Sequence, residues 1–205
     1  MNPVPDERVA MVDVVFSLRG GEIDADYGEA LADALASLLP WLAEEPGAAV
    51  LPLERVAHHG HRVIVAGRSR LALRLPEARV DEVRGLAGRR LDLGEGLDVG
   101  AANPRPMRPF EVLYASFVDL DAAEEGEFVV ACRSALDALG LAGQMVCGRG
   151  RRAITRAGER RGHSVMVSGL KPVESLRLQH VGLGQGRLQG RGVFVPHKSV
   201  AAVGE

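Results

Sequence analysis

Val12, Val14, Phe16 and Leu18 alternate with Asp13, Val15, Ser17 and Arg19, and this period of two predicts a half-buried strand that Gly20 and Gly21 interrupt. The period then changes. Tyr27, Leu31, Leu35, Leu38 and Leu42 recur at helical spacing, Asp26 and Glu29 have the spacing of a capping box, and Pro40 bends or ends the helix. Residues 48–53 read as extended. A hairpin is predicted to pair residues 61–65 with residues 69–75, where Leu71, Leu73 and Leu75 share one face and Arg70, Ala72 and Arg74 the other. Pro76 opens a short helix over residues 77–86, because its missing N–H costs nothing in a first turn. A strand over residues 97–101 follows, and the proline-rich residues 103–109 read as a stiff connector.

The second half repeats that order. Residues 111–118 read as a strand, residues 122–139 as an amphipathic helix stopped by Gly140, and residues 144–148 and 164–168 as two further strands. Between those strands lies a basic excursion, residues 149–161. Pro172 echoes Pro76 at the start of a second short helix, and residues 193–195 close the unit. The chain is therefore α+β, two tandem ferredoxin-like (RRM-like) βαββαβ units, with domains expected at residues 1–106 and 107–205.

Composition narrows the class. A chain of 205 residues can form two domains of about 100 residues, each able to bury a core. It has no apolar run of membrane-spanning length and no signal-peptide pattern at residues 1–6, so a cytoplasmic protein without a membrane partner is expected. Cys132 and Cys147 lie in no metal spacing and read as thiols, Cys132 on the buried face of its helix.

Net charge conceals an asymmetry. Residues 141–205 hold 11 Lys and Arg against 3 Asp and Glu, whereas residues 1–140 hold 14 against 24. Such a basic third points to an anionic partner, nucleic acid being the commonest; attraction to the acidic part or to another subunit describes the same imbalance. Aromatics at 4% of the chain argue against base stacking on a sheet as the main grip.

The candidate chemistry concentrates in three places. Residues 182–192 contain glycines at 182, 184, 186, 190 and 192 with Arg187 and Arg191 among them, directly before the last strand. Glycine lets backbone N–H groups approach a phosphate, and arginine offers a planar fork to it; Gly184, Gly186, Arg187 and Arg191 are the candidate contacts there, with Lys198 beyond the strand. A flexible linker or a set of tight turns fits the same residues. The excursion supplies Arg149, Arg151, Arg152, Arg156, Arg160 and Arg161, suited to the phosphates of an RNA stem or to its groove, or else forming a basic loop that orders only on RNA.

The third place is His58, His59 and His61, close to Arg68 and Arg70, which flank the predicted hairpin turn. Histidine titrates near neutrality and suits proton transfer, and arginine suits the charge of a phosphorane. A solvated polar turn and strand face describe these residues equally. Tyr27 can reach a phosphate or a leaving oxygen, or serve only as core on its apolar stripe. His163, His180 and His197 read as structural or surface residues.

Taken with the tandem halves, residues 14–21, 39–42, 68–76, 182–192 and 194–199 make the chain resemble the CRISPR repeat-processing endoribonucleases, the Cas-six family, in a subgroup found beside type I systems. The resemblance extends over nearly the whole length. It implies binding of CRISPR repeat RNA, cleavage of the precursor transcript and retention on the guide RNA (crRNA), with other Cas proteins of an effector complex as further partners. It implies no cofactor and no metal: the RNA's 2′-hydroxyl attacks the adjacent phosphorus, leaving a 2′,3′-cyclic phosphate and a 5′-hydroxyl. Where the subgroup often carries a histidine, this chain has Leu51, which cannot transfer a proton. His58, His59, His61 and Tyr27 are then the catalytic candidates. The alternative is a crRNA-binding subunit that does not cut.

Overall fold

A computed structural model describes residues 9–122 and 124–197. Among these residues two compact units are present: residues 9–107 with 154–158 and 187–190, and residues 108–122 and 124–153 with 159–186 and 191–197.

The first unit begins with β1 (Met11–Gly20) and β2 (Glu22–Asp24), followed by α1 (Gly28–Leu38). Next come β3 (Ala49–Val50), β4 (Ala57–His59), β5 (Arg62–Ile64), β6 (Arg70–Pro76), α2 (Val80–Arg84), β7 (Arg90–Leu91) and β8 (Leu97–Pro106). The main sheet has the order β3-β6-β1-β8-β7, and β2-β5-β4 form a second, three-stranded sheet. Without β7, the main order is that of a ferredoxin-like unit, with the first strand between the third and the fourth. The period-two side chains Val12, Val14, Phe16 and Leu18 meet Leu71, Leu73 and Leu75, Leu31 and Leu35 of α1, and Val83 of α2 in one core. Full burial stabilises each such aliphatic side chain by about 1.5–3 kcal/mol.

The second unit runs β9 (Leu113–Val118), α3 (Glu125–Ala138), β10 (Gln144–Thr155), β11 (Gly158–Ser168), α4 (Pro172–Val181) and β12 (Val195–Pro196). Its order, β10-β11-β9-β12, is the same ferredoxin-like arrangement. Phe128, Cys132 and Leu136, four residues apart on α3, pack on Leu113, Ala115, Val165 and Val167. Burial pushes the Cys132 thiol up to about 12, so it stays a neutral core group.

Several local expectations give way to tertiary context. The hairpin of residues 61–65 with 69–75 does not form: β5 pairs with β2 and β4, whereas β6 pairs with β1 and β3. Every residue of β6 from Leu71 onward is buried, which demands a partner on each side, whereas β5 buries only Val63. The capping box is absent too. The Asp24 carboxylate accepts the Asp26 N–H at 2.8 Å, and Tyr27 stands at the N-cap of α1 without a side-chain cap. Residues 103–106 of the proline-rich connector instead continue β8, with Val12 opposite Pro106 and Val14 opposite Pro104. Beyond Asp98 the outer edge of β8 has no strand partner among the described residues, so alternate prolines remove no ladder bond. The basic excursion is a β-hairpin, the far part of β10 and β11, which are longer than the two strands expected there.

Candidate nucleic-acid interface and catalytic residues

The three neighbouring histidines lie on one hairpin. His58 and His59 belong to β4, opposite Val63 and Arg62, and Gly60 with His61 makes the two-residue turn, with Gly60 at φ +59°. A glycine with positive φ in the first turn position joins twisted antiparallel strands without splaying them. All three histidines are exposed, and among the described residues none of their imidazoles carries a hydrogen bond or ion pair, although the His61 carbonyl accepts the Ala25 N–H at 2.9 Å. Because successive strand residues face opposite ways, His58 and His59 cannot approach the same ligand atom together.

Tyr27 is packed against the first core and its hydroxyl oxygen accepts the Leu53 N–H at 3.0 Å. Burial is the largest influence on this phenol and raises its pKa, the Leu53 hydrogen bond opposing it, so the hydroxyl keeps its proton and can donate it to a further acceptor. Leu51, two residues away from Leu53, is 5% exposed, and its N–H is bonded to the Ala72 carbonyl. Arg68 is exposed in the turn before β6, and Arg70 donates to the Ser69 carbonyl at 2.8 Å.

Arg149, Arg151 and Arg152 are exposed along β10, and Arg161 is exposed on β11. Arg149 and Arg151 share one face and have no ion-pair partner among the described residues. Glu159 pairs with Arg161 at 3.0 Å and more loosely with Arg152 at 3.8 Å. Within the first unit Arg156 pairs with Asp33 of α1. Arg160 differs from the rest: both of its outer nitrogens and Nε face Asp119 and Asp121, at 2.8–3.2 Å. Hydrogen bonds to Asp119 are the main reason its guanidinium is held above its usual range.

The glycine loop is folded rather than open. Gly184, Gly186, Gly190 and Gly192 all have φ between +65° and +84°. The Gly192 N–H bonds to the Phe117 carbonyl at 2.7 Å, the Leu183 N–H to the Gly192 carbonyl at 3.1 Å, and the Gln185 N–H to the Asp119 carbonyl at 3.2 Å. The Arg191 side chain lies over Gly186. A Cβ at Gly184 would overlap the Asp119 carbonyl oxygen, at a φ of +76° that L side chains rarely adopt. Gly184→Ala is therefore expected to lower stability by more than about 1 kcal/mol, seen as a drop in Tm.

Arg187 lies inside the first unit. Its residue is 8% exposed, one Nη donates to the Gly47 carbonyl at 2.9 Å, and Nε and the other Nη have no partner among the described residues. Burial first, and then the neighbouring Arg74, push its pKa down to about 9, against the pull of Asp13. Arg74 itself is fully buried and forms a two-pronged pair with Asp13, at 2.8 and 3.0 Å. Lys198 lies outside the described residues. Asp13, Arg74 and Asp119 carry no motif; the one signal in the sequence for the first two is charge set within strands of otherwise apolar pattern.

A family model described as Cas6 Crispr matches residues 12–199. A curated relative, the CRISPR-associated endonuclease Cas6 of Myxococcus xanthus (strain DK1622), is 32% identical over 198 residues, covering 95% of this chain and 85% of the relative. Among solved structures, a CRISPR associated protein Cas6 superposes with a TM-score of 0.64 at 12% identity, covering 92% of this chain and 100% of the other. Cse3 of Thermus thermophilus, bound to an RNA representing a pre-cleavage complex, superposes with a TM-score of 0.54 at 12% identity, covering 91% and 98%. These two structures bear on the fold alone.

Proposed function

We infer the function from a family premise: this chain belongs to the Cas6 family of CRISPR proteins, and we propose that it binds CRISPR repeat RNA and cuts the precursor transcript. The observation that carries this reading is the relative, an endonuclease 32% identical across 95% of the chain. The exposed arginines Arg149, Arg151, Arg152 and Arg161 give the RNA phosphates a continuous basic strand pair. Domain boundaries near residue 107, retention on the crRNA, and association with other Cas proteins belong to the same proposal.

The proposed reaction needs no metal ion. A base takes the proton of the 2′-hydroxyl, the freed oxygen attacks phosphorus, and the 5′-oxygen leaves with a proton from an acid. One P–O bond forms as another breaks, which leaves a 2′,3′-cyclic phosphate and a 5′-hydroxyl. The exposed imidazoles of His58, His59 and His61 are the candidate bases. Tyr27, kept protonated by burial, fits the donor role to a phosphate or leaving oxygen, and Arg68 and Arg70 fit stabilisation of the phosphorane.

Incubation with the repeat RNA of its own locus in EDTA is the test. A single cut with a cyclic phosphate end is expected, and an uncut repeat sinks the catalytic half of the proposal. Buried Leu51 favours a second reading, an RNA-holding subunit without catalysis. That reading predicts tight, salt-dependent binding with no product.

A further inference from the structure

Arg160 lies in the basic hairpin, yet it is unlike its neighbours. Its guanidinium is only 27% exposed and forms a two-pronged pair with Asp119, whose side chain is 2% exposed. Nε donates to one Asp119 carboxylate oxygen at 2.8 Å and Nη2 to the other at 2.9 Å. The second of these oxygens also accepts the Asp121 N–H at 3.2 Å, closing a turn in which Asp121 adopts φ +59°. Asp121 adds a rim contact to Arg160 at 3.2 Å and is 75% exposed.

The backbone of Asp119 faces the other way. Its carbonyl accepts the Gln185 N–H, and Gly184 approaches that carbonyl so closely that no Cβ fits. Two residues earlier, the Phe117 carbonyl accepts the Gly192 N–H. The glycine loop is thus tied at both ends to the last residues of β9 and the residue after it. One buried carboxylate holds that backbone to the base of the basic hairpin. A carboxylate so buried requires its partner, because removing the partner leaves an uncompensated charge inside and is strongly destabilising.

We propose that Asp119 is a positioning residue that sets the glycine loop against the base of the basic hairpin, and that Arg160 acts on RNA through Asp119 rather than by touching phosphate. This rests on the repeat-RNA reading above. It makes the loop's placement, and with it the alignment of the scissile phosphate, depend on an ion pair that touches neither.

The test uses the full chain, its repeat RNA and two variants, Asp119→Asn and Arg160→Gln, held well below their Tm. Three quantities are read: hydrogen exchange at the Gln185 and Gly192 amides, the salt dependence of RNA binding, and the single-turnover cutting rate at saturating protein. Asp119→Asn is expected to lower amide protection about tenfold or more in the loop but not in β11, and to slow cutting by about tenfold with the Kd changed by less than about threefold. Arg160→Gln is expected to slow cutting similarly with an unchanged salt slope. Unchanged loop protection overturns the proposal, as does a fall in slope of about 0.7–0.9 in Arg160→Gln, the mark of one lost phosphate contact. Absence of cutting by the unaltered protein refutes the nuclease reading alone, since loop protection still decides the positioning role. If Asp119→Asn does not fold, Arg160→Gln, at the more exposed end of the pair, decides it by the same measurements.

Discussion

Replacing His58, His59 and His61 together by alanine is expected to slow single-turnover cleavage of repeat RNA by about 10²–10⁴-fold, the usual contribution of a general base. Stability should stay within about 0.5 kcal/mol, because all three side chains are exposed and none has a partner among the described residues. That combination separates lost chemistry from lost folding. Since His58 and His59 point to opposite faces of β4, at most one of their single variants should reproduce most of the loss, and His61→Ala should reproduce it if neither does. A triple variant that cuts at the full rate removes the base from this hairpin. Leu51→His is the natural companion. An imidazole there enters a site now 5% exposed, at a cost of about 1–3 kcal/mol if it finds no partner. Cutting that appears only in Leu51→His identifies the unaltered chain as an RNA-holding subunit.

Arg187→Met is expected to raise the Tm. Methionine keeps an unbranched, flexible stem in place of the arginine's aliphatic part, while a charge buried with two nitrogens unpartnered among the described residues, beside the Asp13–Arg74 pair, is removed. Substitutions of buried charge by apolar groups of similar volume stabilise by up to about 1–4 kcal/mol. The pH dependence has a definite sign. Folding lowers this pKa from the ordinary guanidinium range to about 9, so below pH 9 both states bear the charge and the folded state carries the whole burial cost. Above pH 9 the unfolded state binds more protons and the cost falls. The Tm gap between variant and unaltered protein should therefore be full at neutral pH and narrow above pH 9. RNA affinity and its salt slope should hardly change, because the guanidinium is enclosed and bonded to Gly47. An unchanged or lowered Tm with a reduced salt slope would instead make Arg187 a phosphate contact.

Asp13 completes that cluster. Asp13→Ala leaves the fully buried Arg74 without its carboxylate, and the loss should be smaller when Arg187 is already Met, since one of two mutually repelling cations is gone.

Periodicity was informative wherever one physical demand acted alone. Val12 to Leu18 had to be a strand because only a period of two places four apolar side chains on one face, and Phe128, Cys132 and Leu136 had to lie on one helix side. Repetition of that pattern in both halves is what made the tandem architecture legible, and the glycine-rich residues 182–192 carried the family resemblance. A set of tight turns was one reading of those residues, and the positive φ of Gly184, Gly186, Gly190 and Gly192 agrees with it.

What the amino-acid sequence could not decide was the partner of each group. Whether β5 pairs with β6 or with β2 depends on which faces are buried on both sides, and burial is a property of the assembled sheet. The same holds for charge. Arg149, Arg160 and Arg187 look alike in a list of basic residues, yet one is solvated, one is bound to a buried carboxylate, and one is enclosed. An arginine's chemistry is set by the dielectric and the acceptors around its guanidinium, and residues distant in sequence bring those together: Asp119 for Arg160, Gly47 for Arg187. The sequence by itself determined the main strands and helices and the family resemblance, because periodicity is a local property; only the tertiary structure decided which arginines remain exposed, because their acceptors come from distant residues.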